Sequence, residues 1–155
     1  MKYLYALILF GFISCVDSKT TFFPSNKPFP EVYFDAVEKE LYFQDDIPVS
    51  MKDITSGWFD EKVKVNGYEG LVRISFTEYE EIITVLDDGK KIHMSLNFLI
   101  NLTYPNNLKK KKISGSVNSF GIINGNFSLS EFDALIMATR FELLSQLSNK
   151  ISNSN

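Results

Sequence analysis

From Ile92 to Thr103 apolar and polar side chains alternate: Ile92, Met94, Leu96, Phe98, Ile100 and Leu102 on one side, His93, Ser95, Asn97, Leu99, Asn101 and Thr103 on the other. Successive side chains of a strand point to opposite faces of the sheet. The pattern, with Leu99 as the one apolar residue on the polar side, therefore predicts a strand over 91–104 with one buried face and one largely wet face. A sheet with a single dry face needs one apolar layer laid against it, and the rest of the chain has to supply that layer.

Two segments are suited to it. Phe132, Leu135, Ile136, Thr139, Leu143, Leu147 and Ile151 recur at steps of three and four, the spacing of one helical face. Ser130 and Asp133 mark the start of that helix. Earlier, Ser50-Met-Lys-Asp53 resembles a capping box, and Met51, Ile54 and Trp58 predict a first helix over 51–63 that Asn66-Gly67 ends. Further strands are predicted over 70–77, with 81–86 continuing past a bend, and over 111–122. Asp87-Asp88-Gly89 and Pro105-Asn106-Asn107 supply turns. Glu31 to Phe43 is ambiguous, since Val32, Phe34 and Ala36 alternate while Phe34, Val37 and Leu41 also fit a helix. A strand over 31–37 is the preferred reading. The predicted fold class is α+β, a two-layer sandwich. Its antiparallel sheet of about four strands carries two helices on one face, in the order β-α-β-β-β-α.

The amino terminus reads as an address rather than as part of the fold. Lys2 precedes an apolar run from Leu4 to Ile13, as in a secretory signal, and the run is shorter than the roughly 20 residues that cross a bilayer. Phe12-Ile13-Ser14-Cys15 resembles the lipobox of bacterial lipoproteins, in which the cysteine thiol is diacylated and the signal is cut before it. The chain has 1 cysteine, so no disulfide forms within it. The expected organisation is a signal peptide over 1–14, a lipidated Cys15 with an extended, proline-containing tether over 15–30, and a single α+β domain over 31–155. Phe22, Phe23 and Phe29 in the tether are expected to pack on the domain.

No motif in the chain reads as catalytic, and the expectation is a protein that is not an enzyme and uses no cofactor. The chain has 1 histidine; His93 falls on the wet face beside Ser95 and Asn97, without the orienting partner and cleft that a general base needs. Asp45-Asp46 and Asp87-Asp88 lack the ligand spacing of a calcium loop and read as turns. Glu78, Glu80 and Glu81 read as a solvated strand edge. The formal net charge of −3 gives no case for nucleic acid. One charge cluster remains, Lys109, Lys110, Lys111 and Lys112. These lysines are candidates for an anionic ligand such as a lipid phosphate, or they form a solvated edge that discourages strand pairing.

The lipobox, the element order and the terminal amphipathic helix together resemble the LptE family of lipopolysaccharide-assembly lipoproteins. The resemblance is one of pattern, spanning most of 31–151 without a diagnostic motif. It implies a membrane-anchored, non-catalytic binding or assembly subunit facing the periplasm, with an outer-membrane barrel protein and lipopolysaccharide as partners and the basic run as the candidate contact. The same order is similar to auxiliary lipoproteins of ABC-type lipid-export systems, and an envelope lipoprotein of another binding role is a third reading. In lipoproteins of this kind an Asp directly after the cysteine holds the protein at the inner membrane. Val16 stands there, which implies the outer membrane.

Overall fold

The computed structural model describes residues 29–105 and 110–154. The predicted long strand is β5 (Gly89–Thr103), and all of Ile92, Met94, Leu96, Phe98, Ile100 and Leu102 are buried beneath the helices. β4 (Leu71–Leu86) and β6 (Lys110–Asn124) flank it, both antiparallel to it. The turn from β4 to β5 is Asp87-Asp88, and Gly89 has φ +131° with the strand of Ile123 against it; a Cβ there would lie 2.0 Å from the Ile123 carbonyl. Only glycine fits so close an approach.

The α+β class holds, with one short strand added to the expected order on each side of the first helix and one change of direction in the sheet. The expected strand over 31–37 is the shorter β1 (Val32–Phe34), and a further strand that was not expected, β2 (Glu38–Phe43), follows it. Between them the Ala36 N–H donates to the Phe34 carbonyl at 2.9 Å, folding the chain sharply. Gly67 packs into that bend, its N–H donating to Ala36 O at 2.9 Å, where a Cβ would sit 2.5 Å from the Ala36 nitrogen. The chain then reaches its neighbours through a helix, and a strand joined by a helical crossover returns parallel. β1 thus pairs in parallel with β3 (Val63–Val65), and β2 pairs in parallel with the first half of β4. The main sheet runs β2-β4-β5-β6 and is mixed where an antiparallel one was expected.

β4 is one strand rather than two. The expected bend is a bulge between Phe76 and Glu78, where Thr77 is the extra residue. The bulge flips the side-chain parity: Val72, Ile74 and Phe76 face the core before it, and Tyr79 and Glu81 after it.

Both helices lie on the dry face. α1 (Val49–Lys62) starts two residues earlier than expected, with Pro48 instead of Ser50 as its N-cap, and no side chain caps it. A proline whose φ is already −59° serves that position without a capping oxygen. Its far end is closed from β2: Lys39 Nζ donates to the carbonyls of Phe59 (2.9 Å) and Val63 (2.8 Å) and lies 4.6 Å over the Phe59 ring. Burial pushes the Lys39 ammonium below its usual pKa. α2 (Leu129–Ser154) also begins earlier than expected. Its capping box is Ser128 and Glu131, not Ser130 and Asp133: the Ser128 N–H donates to Glu131 Oε2 at 2.7 Å, and the Glu131 N–H to Ser128 Oγ at 3.2 Å.

The two helices meet around Trp58, which is fully buried, edge-on to Phe76 at 6.4 Å. Its indole N–H donates to Ser148 Oγ of α2 at 2.7 Å. At the amino-terminal end Phe29 is buried edge-on to Phe141, with ring centroids 6.2 Å apart. Phe22 and Phe23 lie outside the described residues.

Candidate functional site: the open face of the sheet

The sheet has one face beneath the helices and one without a covering element among the described residues. Register across the strands orders the open face into transverse rows. Nearest the β5 carboxyl end stand Glu38, Leu71, Thr103 and Lys110, then Glu40, Arg73, Asn101 and Lys112, then Tyr42, Ser75, Leu99 and Ser114. Beyond the bulge come Glu78, Asn97 and Ser116, then Glu80, Ser95 and Asn118. The last rows change character: Ile82, His93 and Phe120, then Thr84, Lys91 and Ile122.

The polar rows are partnered within themselves. Arg73 Nε (2.8 Å) and Nη2 (2.7 Å) both reach the single oxygen Glu40 Oε2, an exposed ion pair that adds little to stability. Asn97 Nδ2 donates to Glu78 Oε2 at 2.7 Å. Glu40, Leu41, Tyr42, Arg73, Ser75 and Asn101 line a shallow depression of about 630 Å³. The apolar rows are different. Ile82, Phe120 and Ile122 are 44%, 69% and 50% exposed, a solvent-facing apolar cluster on a sheet whose opposite face is dry, and such patches mark contact surfaces. Lys91 Nζ lies 5.8 Å from the Phe120 ring centroid. His93 is half-buried between Ile82 and Phe120, with apolar neighbours across both strands rather than a carboxylate to orient it.

The pleat divides the lysine run. Lys110 and Lys112 stand on the open face opposite Thr103 and Asn101, whereas Lys111 stands opposite buried Leu102 on the helix face. There its Nζ donates to the Ser154 carbonyl at 3.0 Å, meeting the negative end of the α2 dipole. Lys109 and Cys15 lie outside the described residues. Lys110 and Lys112 therefore lie at the same end of the face as Glu40 and Arg73, across the sheet from them, and at the opposite end from Phe120.

One ionic cluster carries no signal in the sequence, because its members belong to β4 and α2. Arg140 Nη2 donates to Glu81 Oε2 at 3.0 Å, with side chains 13% and 22% exposed, and the Tyr79 hydroxyl donates to the same oxygen at 2.5 Å. Burial first, and Glu81 second, drive the Tyr79 phenol far above its usual pKa. The cluster ties α2 to β4 below the bulge. Among the described residues no group of histidine, cysteine, aspartate and glutamate could hold a metal ion, and no helix is long and apolar enough to cross a membrane.

No family model and no curated protein matches the chain. Solved structures do. A minor lipoprotein from Acinetobacter baumannii is 11% identical, with 81% of this chain and 95% of that one covered, at a TM-score of 0.52. The chain shares that protein's fold. The rare lipoprotein B from Shewanella oneidensis is 10% identical, covering 76% of this chain and 92% of that one at a TM-score of 0.44. A lipoprotein B from Nitrosomonas europaea is 11% identical, covering 81% and 89%, at 0.43.

Proposed function

We propose that the chain is a lipid-anchored bacterial envelope lipoprotein that works as a non-catalytic binding or assembly subunit, in lipopolysaccharide transport to the outer membrane. The observation that carries this reading is the fold shared with the Acinetobacter minor lipoprotein, joined to the lipobox at Cys15. The anchor is additive physics: each buried methylene is worth about 0.8 kcal/mol, and several acyl chains together hold a protein at a membrane durably.

The open sheet face is the binding surface of this reading. Its apolar end (Ile82, Phe120, Ile122) suits a protein partner or acyl chains, and its basic corner (Lys110, Lys112) suits a phosphate. Because Lys111 holds the end of α2, the lysines that serve a ligand are Lys110 and Lys112.

The test is the intact mass of the mature protein from native membranes, followed by mass spectrometry of what co-purifies. Acylation at Cys15 together with an outer-membrane barrel protein in the eluate is the expected result. A soluble, unacylated product overturns the anchor and the assembly role with it.

A further inference from the structure

β2 covers only the first half of one side of β4. It pairs with Leu71–Phe76, and the Gln44 N–H makes the last bond, to the Phe76 carbonyl at 3.0 Å. Past the bulge, nothing among the described residues pairs with that side of Glu78–Leu86. Which backbone groups face the open side follows from parity. Glu38 donates to Gly70 O and Gln44 to Phe76 O, so even-numbered residues before the bulge point toward β2 and odd-numbered ones toward β5. Thr77 reverses this: Glu78, Glu80, Ile82, Thr84 and Leu86 bond to β5. Tyr79, Glu81, Ile83 and Val85 present their N–H and C=O groups outward.

The glutamates at 78, 80 and 81, with Glu81 turned inward to Arg140, guard the first half of this edge, whereas Ile82 to Leu86 has none of the devices that keep edges apart: no proline, no charge and no bulge. Ile83 and Val85 are instead 45% and 76% exposed, beside Ile82 at 44% and Leu86 at 38%. Its charge is arranged along its length. Glu78, Glu80 and Glu81 occupy the first half and Ile82 to Leu86 the second. Antiparallel pairing of two copies therefore lays the acidic half of each against the apolar half of the other.

We propose that two copies of this chain pair through the free half of β4, antiparallel, with the twofold axis at Ile83. That register sets Ile83 against Ile83, Glu81 against Val85, Ile82 against Thr84 and Glu80 against Leu86. The outward-pointing residues exchange backbone bonds, and no carboxylate of Glu80–Leu86 opposes another; the one opposed acidic pair, Glu78 and Asp88, falls at the turn, outside the paired stretch. Moving the axis to Glu81 sets two carboxylates face to face. Moving it to Ile82 drives Asp87 into the place beside Thr77 that Gln44 occupies. Both helix layers then lie on one side of a continuous sheet, and the apolar rows around His93 in the two copies become neighbours across the axis. The dimer does not depend on acylation or on a lipopolysaccharide role.

Ile83→Cys in the full chain, oxidised in the producing cells and read in soluble and membrane fractions alike, tests it. Opposed hydrogen-bonded residues of an antiparallel pair have Cα atoms about 5.5 Å apart, within the range a disulfide spans. A disulfide-linked homodimer well above the level of the parent, which keeps Cys15, is expected, while Thr77→Cys beside Gln44 stays at the parent level. Ile83→Lys sets two ammonium groups on the axis, and co-purification of two differently tagged copies should fall to background with the circular dichroism spectrum unchanged. Absence of the Ile83→Cys product, an equal product from Thr77→Cys, a product joined to a different protein, or undiminished co-purification of Ile83→Lys each overturns the proposal.

Discussion

Replacing Ser148 with alanine isolates the contact that joins the two helices. The Ser148 hydroxyl accepts from the Trp58 indole at 2.7 Å and donates to its own helix at Leu144 O, 3.1 Å, and both residues are 0% exposed. The Leu144 carbonyl keeps its backbone partner when the hydroxyl goes, so that bond is a small loss. The indole N–H has no such reserve. A buried donor left unsatisfied costs about 1–3 kcal/mol, offset by about 0.5 kcal/mol of better helix propensity in alanine. The expected net destabilisation is about 1–2 kcal/mol, read from urea unfolding followed by circular dichroism. In a Trp58→Phe background the donor is absent, and Ser148→Ala should then be neutral or slightly stabilising. The same cost in both backgrounds would refute the reasoning, because the loss would come from packing around Ser148 and not from the bond.

Glu81→Gln leaves the Arg140 guanidinium without its ion pair at 13% exposure; a loss of about 2–3 kcal/mol is expected, and urea unfolding measures it. Gly121→Ala brings a Cβ to 2.6 Å from Thr139 Oγ1 and 2.7 Å from Leu135 Cδ1, so an overpacking cost of about 1–3 kcal/mol should appear as a lowered Tm. The Ser128 backbone N–H, then its hydroxyl, hold the Glu131 carboxyl below its ordinary value of 4.5. The folded state thus favours the carboxylate, and its stabilisation is full above that value and fades as pH falls through the lower folded-state pKa. Glu131→Gln should therefore lose stability near neutrality and converge with the parent in acid, as unfolding curves across that range will show.

The main sheet and the terminal helix were legible because their burial is one-sided. Strict alternation in β5 and the three-and-four spacing of Phe132 to Ile151 follow directly from a single dry face. Element starts were less legible. Leu129 is 75% exposed, so no apolar signal separates Ser128 from Ser130 as the cap, and the competing serines look alike until Glu131 is seen to bond back. β2 was hidden because Glu38, Lys39 and Glu40 mask the alternation, although the Lys39 stem and ammonium serve α1 from a strand position. The parallel pairings could not be read, since they depend on where α1 sends the chain. At the open face, the alternating register splits Lys110 and Lys112 from Lys111, a division that needs the pairing with β5 before it can be seen. The apolar rows were missed for a related reason: Ile82, Phe120 and Ile122 come from two strands and converge only around His93.

The parallel seating of β2 also sets an order on the nascent chain. A ribosome or a translocation channel delivers β1, β2 and α1 before any residue of β4 exists for β2 to join. The β4-β5-β6 meander closes through neighbouring segments, and short closures are fast. β2 must therefore wait, unpaired, until β4 has emerged to receive it. If the chain is exported as proposed, the strand that crosses ahead of its partners is one that is not able to pair early.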